Sequence, residues 1–429
     1  MKLLISLFGF LLVLGAGQLQ ASDFNGADTA WILTSTALVL FMTLPGLALF
    51  YGGLVGMRNV LSVLMQCFAI TAVVSLLWLI GLYSLAFGPG NGFVGGLSKA
   101  MLQGVTQDSL WSSIPEVLFF MYQMTFAIIT PALIVGAYAE RLTFKAMILF
   151  SALWTAVVYT PVAHWVWGGG WLQEMGLIDF AGGTVVHVTA GVAALVAALV
   201  IGKRKGFPQT AMPPHNMTMV VTGAGMLWVG WFGFNGGSAL AANSSAAMAL
   251  TATHISAAAG CIAWSAMEWI KFGKPSVLGI VTGMVAGLGT ITPASGSVSP
   301  AGAMIIGLIA GVICFFATQT VKRRFLIDDS LDVFPVHGVG GILGTLLVAV
   351  FANPALGVFG GWGFADGITT SWQQFQAQAM GVLATGLWAG GCTWLLLKLV
   401  GALTPLRVYP DEETEGLDIV LHEERGYSL

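Results

Sequence analysis

Two histidines, His187 and His337, stand inside apolar stretches of this sequence, and each follows an aspartate by eight residues. The first stretch is Asp179–Gly191, DFAGGTVVHVTAG, and the second is Asp329–Gly341, DSLDVFPVHGVGG. Imidazole can transfer a proton, form hydrogen bonds with a polar ligand, or ligate a metal or haem. Ionisable residues in apolar sequence are costly, so two of them at matching places indicate a functional pair.

The histidine pair allows two readings from the residues alone. A neutral imidazole offers one hydrogen-bond donor and one acceptor, so two rings can share a proton and still contact a small polar molecule. Burial favours the neutral ring, which permits proton relay near physiological pH. Bis-axial haem or metal ligation is the alternative, although neither histidine has a carboxylate one turn away that would orient it.

Asp179 precedes the apolar run of His187 by a few residues. We expect its carboxylate to accept backbone N–H groups at the start of a helix, with direct ligation of a cation as the alternative. Such a carboxylate would also attract cations to a pore mouth. Trp167, next to three glycines, is a candidate for a cation–π contact with a small cation.

Membrane helices must position these residues, because the composition excludes a soluble protein. Charged residues are 8% of the 429 residues and hydrophobic residues are 57%, and so few charges could not cover a soluble surface. Eleven apolar runs are long enough to cross a bilayer, which takes about 20 helical residues. They centre on 30–53, 61–87, 115–138, 146–167, 184–202, 217–237, 247–270, 277–292, 302–321, 335–352 and 375–402.

The basic residues predict the orientation of the chain. Residues 1–21 have the composition of a secretory signal peptide, which places the mature N-terminus outside. Of the fifteen basic residues beyond Lys2, only Lys99 then falls in an outer loop. We therefore expect a signal peptide at 1–21, an eleven-helix transport domain at 22–404 and a cytoplasmic, acidic tail at 405–429.

The matching histidine stretches also predict an internal repeat. They fall in the fifth and tenth apolar runs, and a smaller echo joins Phe50–Gly53 in the first run to Phe234–Gly237 in the sixth. Because five helices form each half, the second half would be inverted relative to the first. Inverted repeats with a site near the bilayer midplane are typical of transporters.

Other candidate residues have simpler explanations. Structural or loop-anchoring roles are expected for the remaining histidines and several acidic residues, namely His164, His215, His254, Glu140, Glu268 and Asp366. The four cysteines stand singly without ligand spacing and are expected to be small buried side chains. No metal, cofactor or nucleic-acid partner is expected.

Several long motifs resemble the ammonium transporter family, the Amt/Mep/Rh group, in its bacterial Amt form. They are Asp179–Arg204, Leu47–Val55 (LALFYGGLV), Ile134–Arg141 (IVGAYAER), Ala163–Gly170 (AHWVWGGG), Gly230–Ala239 (GWFGFNGGSA), Lys274–Gly279 (KPSVLG), Val333–Gly341 (VFPVHGVGG) and Glu415–Asp418 (EGLD). They occur in the family's order over nearly the whole mature chain.

This resemblance implies a non-enzymatic homotrimer in the bacterial cytoplasmic membrane, with a narrow apolar pore in each protomer. It implies that His187 and His337 line the pore. Trp167, Phe126 and Ser238 would recruit ammonium at the outer side, supported by Asp179, and Phe126 with Phe234 would form a stacked gate below them. A PII-type signalling protein would bind the cytoplasmic face according to nitrogen status.

The resemblance suggests deprotonation of ammonium and conduction of ammonia with net charge movement, and a purely neutral ammonia path is the alternative. Two departures from the family's pattern stand out: Tyr122, where phenylalanine is more usual, and Glu423, where the tail commonly has glycine. An ammonium sensor that uses the same site, a bis-histidine haem or metal protein, and a proton-coupled transporter of another small cation are the alternatives.

Overall fold

The computed structural model describes residues 24–428, and almost all of its regular structure is helical. The expected signal peptide, residues 1–21, lies outside the described residues. The only strands within 24–428 are the paired segments Leu110–Trp111 and Ile114–Pro115, in the connection between the second and third long helices. The prediction of an all-α, multi-pass membrane protein is confirmed.

Eleven apolar helices form the body of the described chain. In chain order they are α1 (Gly26–Leu54), α2 (Met57–Phe87), α3 (Glu116–Tyr138), α4 (Phe144–Glu174), α5 (Gly183–Ile201), α6 (Met217–Gly236), α7 (Ser244–Phe272), α8 (Val277–Ile291), α9 (Pro300–Arg324), α10 (Phe334–Phe351) and α11 (Ser371–Leu403). Ten of the eleven are long and apolar enough to cross a membrane. The exception is α8, whose 15 residues extend about 22 Å, less than the ~30 Å hydrocarbon core.

Helices α5 and α10 cross in antiparallel directions at glycines. A Cβ atom on Gly191 would lie 2.2 Å from the Cα atom of Gly338, and one on Gly341 would lie 2.8 Å from the Cβ atom of His187. At the other end of the contact, Gly183 faces Thr345. The absence of side chains thus lets the two backbones approach closely, as small residues do at helix contacts in lipid.

Helices α1 and α6 also pack in antiparallel directions. Gly53 near the end of α1 faces Asn216 and Val220 at the start of α6, whereas Gly233 near the end of α6 faces Ser35. The first and sixth helices therefore repeat the relationship of the fifth and tenth. This is the arrangement expected from two inverted halves of five helices.

A buried ionic network joins the loops on the face of the molecule that carries the tail. Arg204 donates hydrogen bonds to Asp328 and to Glu140, at 2.8 and 2.5 Å, and Glu140 also accepts the Gly56 N–H. Burial opposes ionisation of Asp328, but the hydrogen bonds and charge of Arg204 outweigh it and lower the pKa of that carboxyl. Glu140 thus anchors loops, as the sequence predicted.

The tail packs on this network as two short helices, α12 (Pro410–Glu415) and α13 (Leu417–His422). The Leu417 N–H donates to the side chain of Asn59, and the carboxylate of Asp418 accepts the Ser62 N–H at the start of α2. The EGLD motif therefore docks the tail onto the first turns of α2.

Candidate functional site

The two histidines meet where α5 and α10 cross. Their Nδ1 atoms are 3.2 Å apart, and their ring centroids are 5.2 Å apart with an interplanar angle of 19°. His187 is 1% exposed and His337 is 4% exposed. Each lies in a π-helical first turn, Gly183–Val188 in α5 and Phe334–Gly338 in α10. Such turns often occur at functional sites, because they displace side chains from the regular helical face.

Asp179 fixes the start of α5. Its carboxylate accepts hydrogen bonds from the backbone N–H groups of Gly182, Gly183, Thr184 and Val185 and from the Thr184 hydroxyl, at 2.5–3.2 Å. Both carboxylate oxygens are occupied and the residue is buried. This geometry favours the capping role over direct ligation of a cation, because no oxygen remains for a ligand.

Asp329 occupies the equivalent place before α10 but is less completely bonded. One of its oxygens accepts the Phe334 N–H at 2.7 Å, and the other is buried without a partner in the described part of the chain. Burial and the neighbouring Asp332 raise the pKa of Asp329 to about 7. The two aspartates therefore occupy equivalent places before α5 and α10 but differ in how many hydrogen bonds they accept.

The aromatic residues form a line that ends at the histidines. The ring of Trp167 meets Phe126 edge-on at 5.8 Å, and Phe126 lies 4.3 Å from Phe234. Phe234 is 6.2 Å from His187. The structure thus brings Trp167, Phe126 and Phe234 together above the histidine pair, on the side of the molecule opposite to the tail.

Asp179 also holds Trp167 in place. Its backbone carbonyl accepts the indole N–H at 2.8 Å, while its side chain caps α5. One residue therefore ties the aromatic site to the helix that carries His187. A displacement of Asp179 would therefore reach both the indole of Trp167 and the start of α5.

Ser238 lies just beyond α6, beside Phe234. Its hydroxyl donates to the Phe234 carbonyl at 2.8 Å and lies 3.3 Å from the hydroxyl of Tyr122. Tyr122 is fully buried, and its ring meets Phe126 edge-on at 5.1 Å. The sequence marked Tyr122 only as a departure, and the structure makes it part of the site.

Trp231 is a site residue that the sequence analysis missed. Its ring is nearly parallel to that of His187, at 5.6 Å and 20°, and its indole N–H donates to Thr292 at 2.9 Å. The spacing of three between Trp231 and Phe234 could have placed both on one face of α6. Fifteen tryptophans in an apolar chain hid that signal, since most tryptophans in membrane proteins belong to interfaces or packing.

A narrow cavity lies between Phe234 and the histidines. Its volume is about 10 Å³, room for roughly one water-sized molecule. Ten apolar or aromatic side chains and the two histidines line it. A larger vestibule of about 200 Å³ begins at His337 and opens toward the tail side. His337, Phe50 and Val285 line both spaces and mark the boundary between them.

The vestibule carries the charges that the narrow cavity lacks. Lys322 and Asp332 line it and pair at 2.7 Å, and Glu268 lies at its edge, where it accepts two hydrogen bonds from Ser276. A small polar molecule that passes His337 would thus enter a hydrated, charged environment. The apolar barrier ends at the histidine pair.

The other histidines lie away from this line. Both ring nitrogens of His164 contact carbonyl oxygens, those of Ala86 and Asn91, while His215 bonds the Val55 carbonyl and the Tyr427 hydroxyl. Among residues 24–428, no group of three or more His, Cys, Asp or Glu side chains could hold a metal ion. Within residues 24–428, the histidine pair is therefore the only support for the hypothesis of haem or metal binding.

Comparisons with known proteins agree with the sequence motifs. The model of the Ammonium Transporter Family matches residues 30–427. An ammonium transporter of Bacillus subtilis is 46% identical over 403 residues, which cover 93% of this chain and 98% of the relative.

Two solved structures extend the comparison to the fold. A structure described as a sensor Amt protein is 30% identical with a TM-score of 0.85, covering 92% of this chain and 98% of the other. Mep2 of Saccharomyces cerevisiae is 36% identical with a TM-score of 0.82, covering 91% and 89%. The fold and the sequence motifs therefore agree over the same residues.

Proposed function

The chain belongs to the ammonium transporter family, a family of membrane transporters, and we propose that it conducts ammonia taken from external ammonium. The observation that carries this proposal is the histidine pair, whose Nδ1 atoms lie 3.2 Å apart at the end of an otherwise apolar cavity. The route runs from Trp167 past Phe126 and Phe234 to His187 and His337. The side opposite to the tail is the external side in this proposal.

Trp167, Phe126 and Ser238 recruit the ammonium ion. An aromatic face attracts a cation with about 0.5–2 kcal/mol, and the Ser238 oxygen offers an acceptor for one N–H. Asp179 contributes indirectly, because its carbonyl orients the indole of Trp167. Recruitment thus combines charge attraction with hydrogen bonding at a site still open to the external solution.

The rings of Phe126 and Phe234, which are tilted by 34° at a centroid distance of 4.3 Å and not stacked as expected, separate this site from the narrow cavity. An ion that entered the cavity would lose most of its hydration without charged partners, which is very costly. Ammonium can avoid this cost by releasing a proton, and potassium cannot. The apolar cavity therefore selects by chemistry between two ions of similar size.

In the transport step, one N–H bond of ammonium breaks, the electron pair stays on nitrogen, and Nε2 of His187, which has no partner in the described chain, accepts the proton. Neutral ammonia then enters the cavity. The two histidines then hydrogen-bond ammonia. The released proton passes separately along the histidine pair, and ammonia regains a proton in the vestibule beyond His337. Each cycle moves one positive charge, so transport is electrogenic.

The facing Nδ1 atoms suit this role. Only one of them can carry the shared proton, so one ring presents a free acceptor at its Nε2 atom and the other presents a donor. When His187 Nε2 gains a proton and His337 Nε2 releases one to the vestibule, transfer of the shared proton between the Nδ1 atoms keeps both rings neutral and reverses the two roles. His187 Nε2 has no protein partner in the described chain and is free to accept.

Ammonium-evoked current in proteoliposomes tests this function. We expect a saturable current that potassium does not reproduce. Labelled methylammonium uptake without current would favour a purely neutral path, and the absence of both uptake and current would overturn the transport proposal.

We also propose that three protomers assemble, each with its own pore. His254 in α7 is exposed on the side of the protomer, next to Trp228 and Phe232 at ring distances of 5.3 and 6.0 Å. A histidine that faces lipid is costly, so contact with another copy would stabilise this surface. The homotrimer thus gives His254 a protein environment.

The proposed location is the bacterial cytoplasmic membrane, with a cleaved signal peptide at residues 1–21, the N-terminus outside and the tail inside. We propose that a PII-type protein binds the tail side. Glu423 replaces the expected glycine but adopts φ 55°, a left-handed conformation that glycine adopts most easily. The backbone shape at this position is therefore kept despite the substitution.

An ammonium sensor that uses the same site is the second candidate, favoured by the similarity to the sensor Amt structure. A sensor would bind ammonium saturably at the aromatic site and alter the conformation of its tail without transport. Measurement of ammonium-evoked current together with hydrogen exchange of the tail amides separates the two functions, because a pure sensor changes only the hydrogen exchange.

A further inference from the structure

The external site contains more hydrogen-bond acceptors than protons. The Tyr122 hydroxyl lies 2.9 Å from the Gly233 carbonyl oxygen, 3.0 Å from the Phe234 carbonyl oxygen and 3.3 Å from the Ser238 hydroxyl. The Ser238 hydroxyl lies 2.8 Å from the Phe234 carbonyl. The Gly233 carbonyl oxygen also accepts the Gly237 N–H. The other three oxygen atoms share the two hydroxyl protons, an arrangement that suits a ligand with several N–H donors.

The two hydroxyl protons are already committed. Ser238 donates to Phe234, and Tyr122 has two carbonyl oxygens within 3.0 Å for its single proton. Each hydroxyl oxygen therefore keeps lone pairs that can accept further hydrogen bonds. A phenylalanine at position 122 would remove one oxygen from the cluster and leave the rest of the aromatic packing in place.

The backbone around Gly237 makes room for the Tyr122 hydroxyl. A Cβ atom on Gly237 would lie 2.6 Å from the Tyr122 hydroxyl oxygen and 2.6 Å from the Cβ atom of Ser35. Both distances are far below van der Waals contact, so a side chain there would displace the hydroxyl. The turn after α6 is therefore shaped to receive Tyr122.

We propose that Tyr122 is the residue that positions Ser238 and sets the specificity of the external site for ammonium over alkylated ammonium. This inference rests on the proposed transport function. The Tyr122 hydroxyl bonds the carbonyl that Ser238 also bonds, and so holds the Ser238 oxygen in a fixed direction. Ammonium has four N–H donors and methylammonium has three, so an ordered set of acceptors favours ammonium.

The Tyr122→Phe variant in proteoliposomes tests the proposal. Loss of a hydrogen bond worth about 1 kcal/mol corresponds to a several-fold change in an equilibrium constant, so we expect the KM for ammonium to rise about threefold to tenfold. The KM for methylammonium should rise less, and the maximal current should not change. The split between KM and maximal rate distinguishes recruitment from damage to the pore.

Tyr159→Phe is the matched control. Tyr159 is also fully buried in a membrane helix, and its hydroxyl has no hydrogen-bond partner in the described chain. Loss of that hydroxyl should leave both KM values unchanged. A rise equal to that of Tyr122→Phe would assign the effect to general loosening of the helices and overturn the proposal.

A double variant tests whether Tyr122 acts through Ser238. If it does, Tyr122→Phe should change the KM in the Ser238→Ala background by less than twofold. If the two substitutions instead multiply their separate effects on the KM, the positioning role is overturned. The same holds if Tyr122→Phe alone changes neither the KM for ammonium nor the preference for ammonium over methylammonium. Transport by the wild-type protein would stand in either case, whereas a wild-type protein without ammonium flux would refute the transport function itself.

Discussion

The Nδ1 atom of His187 lies 3.2 Å from the Nδ1 atom of His337, so these two rings are joined by a single hydrogen bond at the centre of the molecule. Only one of the two Nδ1 atoms can carry a proton, because two N–H groups that faced each other at this distance would repel. The pair therefore behaves as one unit with one shared proton. A substitution of either histidine removes this hydrogen bond and leaves the Nδ1 atom of the other ring without its partner.

The first prediction concerns the double variant His187→Ala with His337→Ala. We expect it to lose ammonium selectivity, either by admitting potassium or by ending transport, because the cavity then lacks its only polar side chains. Currents in ammonium and in potassium solutions, recorded on the same proteoliposomes, provide the measurement.

His254→Ala is the control for that experiment. His254 is also an intramembrane histidine, but it lies on the exposed side of α7, away from the narrow cavity. Its removal should leave the selectivity of each pore intact. Full activity and selectivity in the double variant would refute the proposed mechanism.

The second prediction concerns Asp179→Asn. The carboxylate accepts five hydrogen bonds, and an amide would direct its own N–H groups at some of these donors. Since each bond to a charged acceptor contributes about 1.5–3 kcal/mol, we expect a large loss of stability. Thermal unfolding in detergent, followed by size-exclusion chromatography, measures it.

Asp366→Asn serves as the comparison, because Asp366 is exposed and its substitution should leave the unfolding temperature unchanged. If Asp179→Asn were as stable as the wild-type protein and only raised the KM, the carboxylate would be a cation ligand instead of a cap.

The third prediction is that two neighbouring aspartates have opposite pH dependence. Burial raises the pKa of Asp329 to about 7, above its unfolded value of about 3.9. Its contribution to stability is therefore fully present below pH 4 and is lost as the pH rises through 7. Asp329→Asn should be increasingly more stable than the wild-type protein between pH 5 and about 8.

Asp328→Asn should show the reverse. Burial alone would raise the pKa of Asp328, but the hydrogen bonds and charge of Arg204 outweigh burial and lower it. The ionised carboxylate therefore stabilises the fold above its unfolded pKa, and this contribution is lost as the pH falls through the lowered pKa. The variant should be less stable than the wild-type protein at pH 7, with a smaller difference near pH 4. Unfolding temperatures across this range check both variants, and parallel curves would contradict the assignment.

The fourth prediction concerns Glu423→Gly. Glu423 ends helix α13 at φ 55°, where a side chain costs about 1 kcal/mol relative to glycine. The variant should slow hydrogen exchange of the α13 amides about fivefold, as measured by mass spectrometry. Glu424 lacks a positive φ, so Glu424→Gly should not slow exchange. Equal rates in both variants would show that the left-handed turn carries no cost.

The sequence was sufficient for the family, the all-α fold and most helix positions. Long apolar runs separated by basic loops identify membrane helices almost directly, because lipid requires every backbone polar group to bond within the helix. The apolar run 277–292 likewise predicts α8, Val277–Ile291, to within one residue. Hydropathy gave no reason why this helix is shorter than the ~20 residues that cross a bilayer.

The site was only partly accessible from the sequence. The spacing between Asp179 and His187 is local, so a capped helix with a histidine in its first turns followed from composition alone. The contacts of Trp231 and Tyr122 depend on which helices cross at what distance, and helix periodicity contains no such information. The π-helical turns also rotate side chains about the helix axis, so a residue can lie on a different helix face from the one that regular α-helical periodicity predicts.

The glycine crossing of α5 and α10 has a consequence for engineering. Because Gly191 and Gly338 touch through their backbones, main-chain geometry sets the separation of the two imidazoles, and the lining of the cavity does not. A designer could enlarge or narrow the route by substitutions on α1, α3 and α6 and keep the same distance between the rings. One methyl group at Gly191, in contrast, would lie 2.2 Å from the Cα atom of Gly338, push the backbones apart and alter that distance without touching either ring.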